Sequence, residues 1–395
     1  MLMIRSIALI VWALTALLFP NHTRAAEPPQ PERTDVFVGG KEGYPVYRIP
    51  ALLTTSRGTL LAVAEGRARL KDIAENDIVL KRSVDGGKTF GPLIVVAKDG
   101  DNSLNNPLLV EVRPRGRVLL VYQHYPAATG EKKVVPGLTG PRVCRTMLTH
   151  SDDDGQTWSA PRDITAGVKR PTEVTSVASG PGIGIQLRRG EHKGRIIAPM
   201  NQGPHGKWQV YAAISDDGGD TWRFGQTAPQ NGRGYANEVQ MVELADGSVM
   251  LNARTEDGSR RRKVAVSNDG GETWSALADA EALIDAKCMG SIVRYSDPLD
   301  GQRSRLLFSN AADERRRTRG TLRLSYDEGK TWPVSRVVEP GDFAYSCLAT
   351  LPDGTIGCFY EGDGYRRIML ARLSLQWLTD GKDKAQASGR PMAAN

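Results

Sequence analysis

Ser151-Asp-Asp-Asp-Gly-Gln-Thr-Trp158 is one of five near-copies of a single eight-residue box. The others are Ser83-Val-Asp-Gly-Gly-Lys-Thr-Phe90, Ser215-Asp-Asp-Gly-Gly-Asp-Thr-Trp222, Ser267-Asn-Asp-Gly-Gly-Glu-Thr-Trp274 and Ser325-Tyr-Asp-Glu-Gly-Lys-Thr-Trp332. Ser-x-Asp-x-Gly-x-Thr-Trp has the parts of a tight β-hairpin. Ser and Asp oxygens bond nearby backbone N–H groups, Gly accepts a positive φ, and the aromatic packs back on the turn. Successive boxes start 68, 64, 52 and 58 residues apart, which leaves each unit room for four strands and their loops.

A second repeat precedes the boxes: a turn ending in Gly, then an apolar strand, at Gly58, Gly116, Gly194, Gly247, Gly301 and Gly354. Six such hairpins and five boxes predict an all-β chain, a six-bladed β-propeller with four antiparallel strands per blade, the sixth blade lacking a box. If the first strand of each blade lines the channel and runs down to its Gly hairpin, the loops joining strands 2 and 3 open on the top face. The boxes then lie at the bottom as scaffold, and their Asp pairs lack the further oxygens of a calcium loop.

The whole chain has 395 residues, 40% hydrophobic and 25% charged, which excludes disordered, collagenous and multi-span membrane classes. Its four Cys include no CxxC, and its five His form no HxH or HExxH grouping, so neither metal nor organic cofactor is expected. Cys347 and Cys358 read as free thiols, because pairing about the Gly354 hairpin sets Cys358 opposite Ala349. Residues 1–26 have the layout of a secretory signal: Arg5, an apolar run over 7–19, then Thr23-Arg24-Ala25-Ala26. The run is short for a membrane span. Its removal takes away two Arg and no acid, and leaves a net charge of +5 in place of +7. An exported protein, periplasmic or secreted, has little use for nucleic acid; the basic balance suits an anionic substrate. Residues 27–34 read as a Pro-rich spacer, 35–378 as the propeller and 379–395 as a flexible tail, and Arg260-Arg-Arg262 reads as solvated surface.

Counting from each hairpin Gly locates the chemistry. Arg48 lies ten residues before Gly58, Glu238 nine before Gly247 and Tyr345 nine before Gly354, while Arg254 and Glu361 each lie seven after their Gly. All fall at the top ends of inner strands, where the blades converge. Two strand 2 to 3 loops open on that face, one over 67–77 with Asp72, the other over 311–319 with an Arg cluster. Several guanidinium groups aimed at one point call for a carboxylate held by bidentate hydrogen bonds. Tyr becomes a competent nucleophile when a neighbour such as Glu238 accepts its proton. A neutral phenol also approaches an anionic sugar that would repel a carboxylate nucleophile.

Tyr47-Arg48-Ile49-Pro50, the five boxes, Asn237-Glu238 with Arg254 sixteen residues later, and Ala344-Tyr345-Ser-Cys before Phe359-Tyr360-Glu361 together resemble the exo-α-sialidase (neuraminidase) family over about residues 35–378. The resemblance implies a carboxylate-binding triad of Arg48, Arg254 and Arg317, nucleophile Tyr345 with base Glu238, and Glu361 bracing Arg48. It implies Asp72 as acid/base, with Glu75 and Asp77 as rivals; Arg319 is the rival to Arg317. The implied partners are sialylated glycans and the implied state a monomer. A glycan-binding propeller would keep the Arg residues without needing the Tyr345 and Glu238 pair, whereas a hydrolase of a related 2-keto acid sugar, or a transglycosidase, would keep the whole set.

Overall fold

The computed structural model describes residues 30–232 and 234–384. The signal segment, the first residues of the spacer and the far end of the tail lie outside the described residues. Six sheets form the blades, antiparallel except where Gly182–Ile183 runs parallel to Ser103–Val112. Blade 1 holds Val46–Thr54, Leu60–Arg67, Asp77–Ser83 and Ile94–Ala97. Blade 4 holds Ala236–Glu243, Val249–Thr255, Arg261–Ser267 and Ala278–Ile284, and blade 5 runs from Ser291–Ser296 to Val334–Asp342 in the same order. In blades 2 and 3 two short extra strands, Gly182–Ile183 and Ile185–Gln186, join the inner half of the sheets. All six hairpin glycines have positive φ, as the turns require.

Blade 6 explains the missing box. Its three inner strands are Ser346–Thr350, Ile356–Gly362 and Arg367–Leu373, and its outer strand is Glu32–Val38 from the other end of the chain. No hairpin joins strands 3 and 4 there, so no box is needed. The ring is closed by this pairing, with Glu32 opposite Arg372, and by Phe37, which is fully buried against Tyr47 and Phe359. Burying such a side chain stabilises the closure by about 1.5 to 3 kcal/mol. The strand begins at Glu32, inside the stretch read as spacer.

Each box also joins blades. Asp153 accepts from Ser151 Oγ and from the amides of Gln156 and Thr157 at 2.8, 3.1 and 2.8 Å. The Gly at the fifth position of each box lies on the preceding blade: a Cβ at Gly155 would meet Leu61 Cδ2 at 2.7 Å, and one at Gly219 would meet Leu119 Cδ1 at 2.4 Å. Positive φ and this close approach together demand Gly.

Three expectations change. Thr379 is buried, and Asp383 pairs with Arg305 at 2.6 Å, so the tail packs on blade 5 through 383. Cys358 stands opposite Leu348, one place from Ala349, and all four Cys are buried free thiols. Arg262 is not solvated: it is fully buried, bonding Asn252 Oδ1 at 2.7 Å and the Cys288 carbonyl at 2.8 Å, beside Asp285. No described helix is long and apolar enough to cross a membrane.

Candidate active site

The top ends of the inner strands and the 311–319 loop bring six of the seven expected side chains together. Arg48 is carried by a bulge in the first strand of blade 1, between Arg48 and Ala51, where Ile49 takes φ +60°. A β-branched residue in that region is strained. The strain aims the Ile49 N–H at Glu361 Oε1, 2.8 Å away, while Arg48 donates to the same carboxylate from Nε at 2.6 Å and Nη2 at 3.1 Å. Glu361 also accepts from the Tyr345 amide at 3.2 Å. One fully buried carboxylate therefore fixes both a cation and the backbone of the tyrosine. Burial opposes the charge on Arg48, but Glu361 outweighs it and holds the guanidinium above its ordinary ionisation range.

Glu238 occupies a bulge of its own, between Asn237 and Val239, which turns its side chain into the cup. It accepts the hydroxyl hydrogen of Tyr345 on Oε1 and Arg254 Nη1 on Oε2 at 2.8 Å. Arg254 Nη1 also reaches the Tyr345 hydroxyl at 3.2 Å, and its Nη2 pairs with Glu256 at 2.9 Å. Burial, then the Glu238 charge, push the Tyr345 phenol well above its usual range, against the pull of Arg254 and Arg317. The phenol is thus neutral at physiological pH, with its proton already directed at an acceptor.

Arg317 completes the arc. Its guanidinium lies 5.4 Å from the Tyr345 ring centroid, as does that of Arg48. It donates to the Lys287 carbonyl at 3.0 Å and toward the Tyr365 hydroxyl at 3.4 Å, and it forms no ion pair among the described residues. A half-buried cation with no counter-charge is suited to an incoming anion. The rival Arg319 gives its backbone to the loop, its carbonyl accepting from Ala312 at 3.2 Å.

Asp72 is the seventh, and stands apart on its loop with an 85% exposed side chain. It is held from beneath. Arg67, buried against Glu65, donates to Asp72 Oδ1 at 3.1 Å and to the Leu70 and Lys71 carbonyls at 3.3 and 3.2 Å. Asn76 and Asn105 donate to the Asp72 carbonyl at 2.8 and 2.9 Å. The rivals have other work: Asp77 holds Tyr44 and Lys98, and Glu75 pairs with Arg69. Glu131, from the 126–144 loop, lies within electrostatic range of Asp72, Glu238 and Arg254, and Gly130 packs on Ile73. Burial first, then Glu238 and Asp72, push the Glu131 carboxyl up to about 7.

Sequence reasoning missed Glu65, Arg67, Glu131 and Tyr365. Glu65 was within reach, since it lies seven residues after Gly58, the register of Arg254 and Glu361. It repeats the work of Glu361 one blade on, accepting the Asn106 amide at 2.7 Å, where Asn106 has φ +54°. Tyr365 stacks on Arg48, 4.4 Å from ring centroid to guanidinium, and no repeat announces it. Among the described residues no group of three or more His, Cys, Asp or Glu is placed to hold a metal ion.

A family model described as a BNR repeat-like domain matches residues 58–358. The chain belongs to the sialidase-type BNR-repeat propeller family. A sialidase of Micromonospora viridifaciens is 40% identical over 358 residues, covering 87% of this chain and 54% of its own length. A Bacteroides fragilis sialidase is 32% identical, covering 82% of this chain and 61% of its own. This family member therefore spans little more than half the length of the relatives it matches. Among solved structures, a Hadza microbial sialidase superposes with a TM-score of 0.78 at 28% identity, over 86% of this chain and 68% of that one.

Proposed function

We propose that the protein is an exo-α-sialidase, hydrolysing terminal α-linked sialic acids with retention of configuration through a tyrosyl-glycosyl intermediate. The observation that carries this reading is the Tyr345 hydroxyl, shared between Glu238 and Arg254 beneath the guanidinium groups of Arg48 and Arg317. A module that only bound an anionic glycan would have use for the cations but none for a buried tyrosine hydrogen-bonded to a carboxylate.

In this reading Arg48, Arg254 and Arg317 clamp the sugar carboxylate, and the clamp presents the anomeric carbon to the Tyr345 oxygen. Asp72 protonates the departing glycosidic oxygen as the C–O bond breaks. Tyr345 forms the new bond to carbon, and its proton passes to Glu238. Water, losing a proton to Asp72, then attacks the same carbon from the face the leaving group vacated. The Tyr–carbon bond breaks, and Glu238 returns the proton to the phenolate. Two inversions give net retention. Every step uses side chains of this chain. The signal-like residues 1–26 support an exported site of action, and sialylated glycoconjugates outside the cytoplasm are the proposed substrates.

The test is hydrolysis of a fluorogenic aryl α-sialoside by the purified protein and by Tyr345→Phe. Release by the parent, with loss of at least about a thousandfold in the variant at unchanged circular dichroism, is the expected result. A folded parent that releases nothing would refute the proposal.

A further inference from the structure

The three guanidinium groups of the cup are not held alike. Arg48 is fixed by Glu361, and Arg254 by Glu238 and Glu256, in each case by carboxylates that offset part of the charge they orient. Arg317 has no carboxylate partner among the described residues. It donates to the Lys287 carbonyl at 3.0 Å and to the Tyr365 hydroxyl at 3.4 Å, and both acceptors are neutral. We propose that Tyr365 is a positioning residue for the sugar carboxylate, spacing Arg48 against Arg317 while leaving the charge of Arg317 free for the substrate. This rests on the sialidase reading and adds the residue that sets the geometry of the clamp.

One side chain spans both cations. The Tyr365 ring centroid lies 4.4 Å from the Arg48 guanidinium, within range of a cation–π attraction, and its hydroxyl accepts from Arg317 Nη1. A phenol ring is rigid between those two contacts, so it ties the place of one guanidinium to that of the other. Glu361 already fixes Arg48 from its edge, through Nε and Nη2, and the ring adds a contact to its π system. Arg317 has less: without Tyr365, only the Lys287 carbonyl would orient it. Capture of a planar carboxylate by several donors depends on their spacing. A neutral brace suits this duty, because a carboxylate in its place would hold Arg317 more firmly but repel the incoming anion.

The backbone that delivers Tyr365 is strained. Asp363, Gly364 and Tyr365 have successive φ values of +50°, +60° and +66°. Asp and Tyr hold that left-handed conformation only where their surroundings impose it, which is common at ligand clamps. Here the surroundings are on both sides of the turn. The Arg366 amide donates to the Asp363 carbonyl at 3.1 Å, and Asp363 pairs with Arg366 at 2.6 Å and with Arg367 at 3.2 Å. The amide of Gly39, directly after the strand Glu32–Val38, donates to the Arg366 carbonyl at 2.9 Å and ties the turn to the outer strand of blade 6. Tyr365 itself packs against the buried cluster that contains Phe343 and Tyr345. The strained turn thus has one outcome at the cup, a phenol seated between two of the three arginines.

The test is the kinetics of Tyr365→Phe and Tyr365→Leu on the fluorogenic aryl α-sialoside. Phe keeps the ring on Arg48 and removes the acceptor for Arg317, whereas Leu removes both. A residue that only positions the carboxylate clamp acts alike on bound substrate and transition state, so it moves KM and spares kcat. KM should rise about threefold in Tyr365→Phe and about thirtyfold in Tyr365→Leu, with kcat within about twofold in each. In an Arg317→Ala background, Tyr365→Phe should change kcat/KM by less than about 1.5-fold, because the group through which the hydroxyl acts is gone. Loss confined to kcat, an unchanged KM in both variants, or a Tyr365→Phe effect of undiminished size without Arg317 would each overturn the proposal. Circular dichroism accompanies every variant; if Tyr365→Leu does not fold, Tyr365→Phe and its comparison in the Arg317→Ala background still decide. Failure of the parent on every sialoside would instead refute the sialidase reading on which the proposal stands.

Discussion

Replacing Glu361 by Gln keeps the shape of the side chain and removes only its charge and half its accepting capacity. The carboxylate receives four donors: Arg48 Nε at 2.6 Å, Arg48 Nη2 at 3.1 Å, the Ile49 amide at 2.8 Å and the Tyr345 amide at 3.2 Å. Oε1 serves two of them and Oε2 the other two. A carboxamide can satisfy one pair, and its NH₂ then faces the other pair donor to donor. The Arg48 and Glu361 side chains are 8% and 0% exposed, so the guanidinium would be left in a dry site without its counter-charge. Breaking a buried pair from one side costs about 3 to 5 kcal/mol, a large share of the 5 to 15 kcal/mol by which a domain is usually stable. Urea unfolding of parent and variant, followed by tryptophan fluorescence, should show a fall of that size at unchanged m. The same variant should lose sialoside turnover, because Arg48 and the Tyr345 backbone are both released. A stability loss below about 1 kcal/mol, with Arg48 still functional, would refute the argument that this carboxylate braces the cup.

Asp72→Ala should slow alkyl sialosides far more than activated aryl sialosides, since only the former need protonation on departure; equal loss on both would remove Asp72 as the acid. Asp153→Ala, at the bottom of blade 2, should cost about 1 to 2 kcal/mol of unfolding free energy by releasing the Ser151, Gln156 and Thr157 donors, with kcat/KM unchanged, which paired denaturation and kinetics would check. Glu131 is pushed up to about 7 from near 4.5, so its neutral form is favoured by the fold. Its contribution to stability is complete below about pH 4.5 and is lost as pH rises to about 7, a change of order 2 to 3 kcal/mol. Glu131→Gln should flatten the stability profile across that window, and an unaltered slope would show that the carboxyl is not desolvated.

What was legible in the sequence is what repeats. The boxes and hairpin glycines sit on short, local turns whose chemistry is confined to eight residues or fewer, so five copies announce five bottoms of blades without any long-range information. The same periodicity supplied the site: Arg254 and Glu361 were found because each lies seven residues after its Gly, at one height in the channel. Features that depend on distant pairing were not visible. The strand Glu32–Val38 completes blade 6 through partners more than 300 residues away, and nothing local distinguishes its first residues, Glu32 to Thr34, from a spacer. Arg262 sits in a run of three arginines, and only the placement of Asp285 and Asn252 makes it a buried structural cation. Tyr365 depends on a left-handed turn that Asp363 and Tyr365 do not favour, so local propensity argues against the conformation that brings it to Arg48. The network behind Asp72 joins blade 1 to Asn105 of blade 2 and follows from the packing of neighbouring blades.

The central claim is that Tyr345 becomes covalently joined to the sugar. A 3-fluorosialyl fluoride tests it directly: fluoride leaves readily, and the fluorine at C3 destabilises the positive charge that develops in the second step, so the intermediate persists. After brief incubation, denaturation and proteolysis, mass spectrometry should find the fluorosialyl group on the peptide containing Tyr345 and nowhere else, and Tyr345→Phe should carry none. A turnover-competent protein whose reagent adduct sits on another residue, or which forms no adduct while hydrolysing the reagent with inversion, would contradict the account.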